Sequence, residues 1–337
     1  MGREMRDYQT WTGEPVYRLV TVGRRKSMSD EHLDVGSRPF QGRICLSLEI
    51  LTPLHVGSGQ LEIQRLPAEK LVAALPMGAD SQAVIPGSSL KGAVRSLVEV
   101  ISDSCFPVAH RDIKAYVPSS LNRCTDVRSL CPACRIFGTQ GWAARVEFSD
   151  VPVPISAITF QGIPTLWQPG RSPQALRARY LRGNLVKGRK TYRHGKPAGG
   201  PDIRQCVKQN TVLKGGFAFH YVTRADLGLV LAAMGVGGSM PGAPPAFPIK
   251  IGGGKPVGYG SVSVKVVSVS VVDGAEGTVR HQGRMSGSSP SQAVGGFVKE
   301  CVTAAVESQL VNVERWHELA RALTAQHLKT DSPSRAY

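Results

Sequence analysis

A chain of 337 residues, 42% of them hydrophobic, can bury one elaborated core or two compact domains, which excludes a disordered protein. Its 41 lysines and arginines against 25 acids leave a net charge of +16, which favours polyanionic partners; an aromatic content of 6% argues against broad base-stacking platforms. No apolar run approaches a membrane span and the first nine residues are charged rather than signal-like, so we expect a cytoplasmic protein with no membrane partner.

Residues 1–40 mix glycine and charged residues around one apolar run, Val16 to Val22, which reads as a strand or an arm. Arg43 to Leu51 alternates as a strand and ends in a Pro- and Gly-bearing turn, Thr52-Pro-Leu-His55-Val-Gly-Ser-Gly59. His55 on that turn reads first as a hydrogen-bonded turn histidine. The stretch from Gln60 to Gln82 reads as a long loop, a length that favours a functional role.

Val84-Ile85-Pro86-Gly87-Ser88-Ser89-Leu90-Lys91-Gly92-Ala93-Val94-Arg95 combines a strand end, a turn and a helix start, with Ser88 or Ser89 as the expected N-cap. Leu90, Val94, Leu97, Val98 and Ile101 recur at helical spacing; Lys91 and Arg95, four apart, share another face. Free helix amides, two hydroxyls and two cations make a competent phosphate site.

Seven cysteines without a secretory signal point away from a disulfide framework. Cys131-Pro-Ala-Cys134 can bring two thiolates to one ion. Tetrahedral zinc needs two further ligands, for which Cys124 and His110 are the nearest suppliers and Cys105 the substitute if His110 points away. Spacing thus points to a structural zinc ion, with His110 and Cys105 both open as ligands beside Cys124, Cys131 and Cys134.

Between Leu176 and Lys214 there are eleven lysines or arginines and one acid, Asp202. Glycines and prolines from Gly183 to Pro201 suggest an extended basic hairpin rather than a helix. Thr211 to Thr223 reads as a strand and Leu227 to Met234 as a short helix. Ile249 to Gly260 carries five glycines and two lysines ahead of an alternating strand, Ser261 to Val271, and forms a main-chain cradle without the order of a Walker loop or dinucleotide fingerprint. The tail carries two helices, one opened by Ser289-Pro290 and one capped by Asn312.

Three of these stretches, in this order, resemble the RAMP superfamily, whose members form the crRNA-binding backbone of type III CRISPR effector complexes. They are Leu51 to Gly59, Ile85 to Arg95 with Cys131-Pro-Ala-Cys-Arg-Ile-Phe-Gly138, and Gly252 to Gly260. The resemblance spans roughly residues 43 to 270. It implies an α+β fold with a ferredoxin-like, RRM-type core, an inserted zinc knuckle, a basic thumb hairpin and C-terminal helices; for the knuckle it favours the ligand set His110, Cys124, Cys131 and Cys134. The corresponding division is an N-terminal arm over 1–42, a core over 43–275 with the knuckle at 105–138 and the thumb at 171–214, and a linker with helices over 276–337.

By the same resemblance the RNA backbone falls to His55, Ser88, Ser89, Lys91 and Arg95, to Gly253, Gly254, Lys255 and Tyr259, and to Arg177, Arg179, Arg182, Lys187, Arg189, Lys190 and Arg193 of the thumb. The implied partners are a crRNA guide, complementary target RNA, further copies of the chain, other subunits of a type III or type VII effector, and a separate nuclease. Target-cleaving members carry an aspartate in the loop before the Pro-Gly-Ser-Ser turn. Here that stretch holds only Asp80, close to the following strand, beside Glu62 and Glu69, so no catalytic residue is assigned and an RNA-holding scaffold is expected. The alternative is an endoribonuclease using Asp80 or Glu62 on target RNA, or His55 on precursor RNA.

Overall fold

A computed structural model describes residues 17–26, 40–66, 68–107, 111–166, 173–237, 240–272, 279–282 and 290–333. The fold is mixed α+β with several sheets. Its centre is built from strand β1 (Phe40–Ile50), helix α1 (Gly87–Ile101), strands β2 (Val146–Phe148) and β3 (Val212–Val222), helix α2 (Arg224–Ala233) and strand β4 (Ser261–Val272). The strands lie in the order β4-β1-β3-β2, every neighbour antiparallel. Ile249–Lys250 and Val279–Gln282 add to β4.

Alternation fixes which face of this sheet is covered. Ile44, Leu46, Leu48 and Ile50 of β1 are buried, while Arg43, Cys45, Ser47 and Glu49 point the other way. Against the buried face, α1 lays its stripe of Leu90, Val94, Leu97, Val98 and Ile101, and α2 is buried from Ala225 to Ala233. Thr223 and Asp226 start α2 with a reciprocal capping box, and Asp226 also pairs with the buried Arg135. Helix α3 (Pro290–Glu307) crosses α2 at Gly228, where a Cβ would come 1.9 Å from the Cys301 carbonyl oxygen, so only glycine permits the approach. Phe297, Cys301 and Val302 of α3, and Trp316 and Leu319 of α4 (Val313–Ala322), belong to the same core. Asn312 caps α4 as expected, accepting from the Arg315 amide at 3.0 Å. Among the described residues no helix is long and apolar enough to cross a membrane.

Two segments differ from the sequence reading. The stretch from Gln60 to Gln82 is not a loop: Leu61–Leu66 and Ala68–Ala73 form an antiparallel hairpin on a second sheet, completed by Asp202–Val207 and Ile158–Ile163. Leu61 and Ile63 alternate with Glu62 and Gln64 as a strand requires, but the apolar side faces solvent and so lacks the usual core signature. The basic stretch begins with a helix, Pro173–Tyr180, because its glycines all lie beyond residue 182 and a proline at the first helical position is compatible with helix. A short hairpin, Leu181–Arg182 with Leu185–Val186, then leads to Arg189–Tyr192. That strand pairs with Tyr17–Val20, so the apolar run near the amino end packs on the chain's own basic segment.

Candidate nucleic-acid interface and metal centre

Two glycine-bearing bends meet at one end of the central sheet. β1 runs out at Ile50 into the His55 turn, and the Gly252–Gly260 bend runs into β4 beside it. They are tied together by Gly253 N donating to the His55 carbonyl (2.8 Å) and Gly260 N donating to the Pro53 carbonyl (3.0 Å). Gly252 and Gly254 sit at φ +75° and +67°. At Gly252 a Cβ would lie 2.1 Å from the His55 carbonyl oxygen, so the close approach itself demands glycine. The amides of Gly254 and Lys255 donate to no group among the described residues, and the Lys255 ammonium makes no ion pair there; burial lowers its pKa. This is a cradle of main-chain donors with a cation at its rim.

The imidazole of His55 is fixed from a third segment. Its Nδ1 lies 2.7 Å from the Gln205 carbonyl, which can only accept, so Nδ1 carries the proton and Nε2 is left as an acceptor near Gly57. Burial lowers its pKa, which keeps the ring neutral. Gln205 also accepts from the Leu75 amide through Oε1 (3.0 Å) and donates to Glu62 (3.3 Å); Arg204, paired with Asp202, reaches Gly253. Nothing in the local sequence ties Arg204 or Gln205 to a turn 150 residues earlier.

The turn leads on to α1. Ser58 donates through its amide (3.1 Å) and hydroxyl (3.0 Å) to the Ala74 carbonyl, and residues 74–85 then feed the helix. The expected serine cap is absent: Pro86 is the N-cap and makes no side-chain bond, Ser88 and Ser89 lie inside the first turn, and the Gly87 amide donates to Asp150 Oδ1 (2.7 Å). Gly87 is pressed against the Phe148 and Ser149 backbone, which places the Asp150 carboxylate at the helix start ahead of either hydroxyl. Ser88 is exposed, and Ser89 and Lys91 are partly so. Lys91 makes no hydrogen bond among the described residues; burial lowers its pKa and the nearby Glu147 opposes that effect.

Arg95 does not share that open surface. It donates to Glu99 Oε1 (3.0 Å), to the Gly138 carbonyl (2.9 Å) and to Cys134 Sγ (3.5 Å). Arg189 approaches Glu99 from the other side, Nη1 to Oε2 at 3.1 Å, and also donates to the Ser104 and Cys105 carbonyls while covering the Phe106 ring. Two arginines expected on RNA are thus committed to a buried carboxylate whose pKa burial raises. Lys187 closes the end of the Pro173–Tyr180 helix by donating to the Ala178 and Arg179 carbonyls, and Lys190 lies between the rings of Tyr17, Tyr180 and Tyr192. Tyr259 is a core residue, 1% exposed, with its hydroxyl on the Gly162 and Ala198 carbonyls. Arg193 is half-buried, while Arg177, Arg179 and Arg182 project from the basic segment, Arg177 over the Tyr116 ring.

The cysteines converge. Cys105, Cys124, Cys131 and Cys134 are all buried, with their sulfurs within 4.8 Å of one another; Cys105 Sγ stands 3.5 Å from Cys134 Sγ and 3.6 Å from Cys131 Sγ. Tetrahedral Zn–S bonds of about 2.3 Å place sulfurs about 3.8 Å apart, close to these two separations. Cys131 caps the Pro132–Phe137 helix, and the amides of Cys131 and Cys134 donate to Cys124 Sγ (3.3 Å) and Cys131 Sγ (3.5 Å), which favours thiolates. Hydrogen bonding with Cys105 pulls the Cys131 thiol to about 6, and Cys124 also falls below the usual thiol range. His110 lies outside the described residues. Cys105 supplies the fourth sulfur beside Cys124, Cys131 and Cys134, and the set can hold a metal ion.

Comparison with known families decides the kinship. The model of the RAMP superfamily matches residues 47–263, a span that contains both bends, the α1 start, the cysteine cluster and the basic segment. The chain belongs to the RAMP superfamily. Membership gives this RAMP protein a CRISPR-associated role in RNA binding or processing. No curated protein matches it closely enough to narrow that role. The match of the RAMP model stops short of the Tyr17–Val20 strand and of α3 and α4, which attach to it through the basic segment and the shared core.

Proposed function

We propose that this RAMP protein is a guide-RNA-holding backbone subunit of a CRISPR effector ribonucleoprotein, acting in the cytoplasm and multiplying along the guide so that target RNA can pair. The reading is carried by one observation: the His55 turn and the Gly252–Gly260 bend, some 200 residues apart, are bonded into a single cradle at the sheet end, with free main-chain donors and the Lys255 ammonium. Such a device binds phosphate and carries no sequence information, as a subunit that accepts any guide requires. The β4-β1-β3-β2 order, with helices after β1 and β3, supports a ferredoxin-like, RRM-type core.

In this reading Gly253, Gly254 and Lys255 hold the backbone, the neutral His55 accepts from a ribose hydroxyl through Nε2, and Ser88, Ser89 and Lys91 contact an adjacent phosphate. Arg177, Arg179 and Arg182 form the thumb's outer charge. A zinc ion on Cys105, Cys124, Cys131 and Cys134 would supply cross-linking of the 105–138 segment and no catalysis, since four sulfurs leave no open position. The acids support holding rather than cutting: Asp80 accepts from the Gln82 amide in an exposed turn, Glu69 pairs with Arg65, and Glu62 accepts from Gln64 and Gln205.

The test is purification with a co-expressed repeat array. A backbone subunit retains RNA whose lengths step by a constant increment; release of processed RNA, or cutting of complementary RNA that Asp80→Ala abolishes, would favour the endoribonuclease instead.

A further inference from the structure

A buried lysine closes the neck of the Gly252–Gly260 bend. Lys250 stands opposite Ser261 of β4 where the chain enters the bend, and the Ile251 amide donates to the Gly260 carbonyl (2.8 Å) across the neck. Lys250 is only 7% exposed, and its Nζ donates to the Tyr259 carbonyl (2.8 Å). The Tyr259 amide in turn donates to the Gly254 carbonyl (3.2 Å), so one amine holds the residue against which the Gly254–Lys255 donors are set.

An ammonium carries three donors, and only one of these has a partner among the described residues; no carboxylate pairs with it there. The titratable groups that face it supply no negative charge. Lys255, from the bend, is a second cation. His194, hydrogen-bonded to Ser261, is neutral because burial pushes its pKa down to about 3, and the Tyr259 hydroxyl is pushed up to about 12. Burial, with repulsion from Lys255, brings the Lys250 ammonium down to about 7. A buried cation beside another cation is complementary to an anion that arrives from outside. The amides of Gly254 and Lys255, which donate to no group among the described residues, are where such an anion is received. A phosphate there offsets the Lys255 charge and favours the protonated form of Lys250.

We propose that Lys250 is a second cation of the cradle, which takes up a proton as a phosphate of the RNA backbone seats on the Gly254 and Lys255 amides, so that binding and protonation are coupled. The proposal rests on the reading of the bend as a site for the RNA backbone. With its ammonium on the Tyr259 carbonyl, Lys250 acts through the bend and is a positioning residue. The sign follows from the free form: below pH ~7 the proton is already held and Lys250 adds no pH dependence, whereas above it each pH unit weakens binding by up to about tenfold until the bound form also loses the proton.

The test titrates the full chain with a single-stranded oligouridylate by isothermal calorimetry at about pH 8 and constant ionic strength, in buffers of different ionisation enthalpy, which together give the protons taken up on binding. The expected result is uptake of up to about one proton per chain bound, with affinity falling by up to about tenfold between about pH 7 and pH 8. Lys250→Met should abolish the uptake and level the pH profile without lowering the melting temperature, since a buried charge is removed. Binding by the unaltered chain with no proton uptake overturns the proposal and leaves the cradle intact, whether or not the variant folds. Uptake that persists in folded Lys250→Met overturns it as well. So does uptake lost in Lys190→Met, whose ammonium among three tyrosine rings also lies near 7, because the proton then belongs to the basic segment. Failure of the unaltered chain to bind RNA removes the underlying reading with it.

Discussion

Glu99 is the point at which the cysteine cluster and the basic segment are joined. Its carboxylate, 9% exposed, lies between Arg95, which reaches Cys134, and Arg189, which holds the Ser104 and Cys105 carbonyls and starts the strand that pairs with Tyr17–Val20. Glu99→Leu leaves two guanidinium groups facing each other out of water. Breaking a buried ion pair by removing one partner costs about 3–5 kcal/mol. At about 2–4 °C per kcal/mol for a domain of 150–250 residues, the melting midpoint falls by roughly 10 °C. Replacing all three groups, Arg95→Met/Glu99→Leu/Arg189→Met, removes the uncompensated charges and restores most of the loss, because apolar replacements of buried ion triads are often neutral. Thermal and urea denaturation of the single and triple variants measure both quantities. A Glu99→Leu variant within about 1 kcal/mol of the parent, below the range for a broken buried pair, would refute the linkage.

Three further outcomes follow from the same structure. Metal analysis should find about one zinc per chain and none after Cys131→Ala, in keeping with a four-ligand structural site, and chelation should lower both the melting temperature and RNA affinity, since Cys105 anchors Arg189. His194 is buried with Nδ1 near Ser261 Oγ (2.9 Å) and Nε2 near the Pro248 carbonyl (3.2 Å), and burial pushes its pKa down to about 3. The unfolded chain therefore takes up a proton that the folded chain refuses; stability is full above pH ~6.5 and is lost toward pH 3 by up to about 1.4 kcal/mol per pH unit, a slope that His194→Gln should flatten in urea titrations at stepped pH. Gly254→Ala should cost about 1–2 kcal/mol, because φ is +67° and the new Cβ would meet the Tyr259 Cβ at 3.0 Å; a neutral result in denaturation would show that the bend is not constrained.

Period and punctuation made the main elements legible. The alternation of residues 43–51 and 261–271 and the helical stripe from Leu90 to Ile101 appear in the structure as β1, β4 and α1, because each pattern matches one buried face. What the sequence could not show depends on partners from afar. Asp150 takes the helix-start amide that Ser88 and Ser89 were expected to satisfy, from 63 residues away. The spacing of Cys131 and Cys134 marked a metal site, but the presence of Cys105 in it depends on how residues 102–105 turn at the end of α1. Net charge likewise does not separate cations that hold the protein together, such as Arg95 and Arg189, from those that face solvent, such as Arg179 and Arg182. The hairpin at 61–73 was hidden because its apolar side is exposed.

Ultraviolet cross-linking of the guide-loaded protein, followed by mass spectrometry of the modified peptides, addresses the cradle most directly. Cross-links concentrated in residues 52–59 and 252–260, with a second group at 88–91, are the predicted result. Guide RNA attached only through other surfaces, with both bends unmarked, would contradict the account.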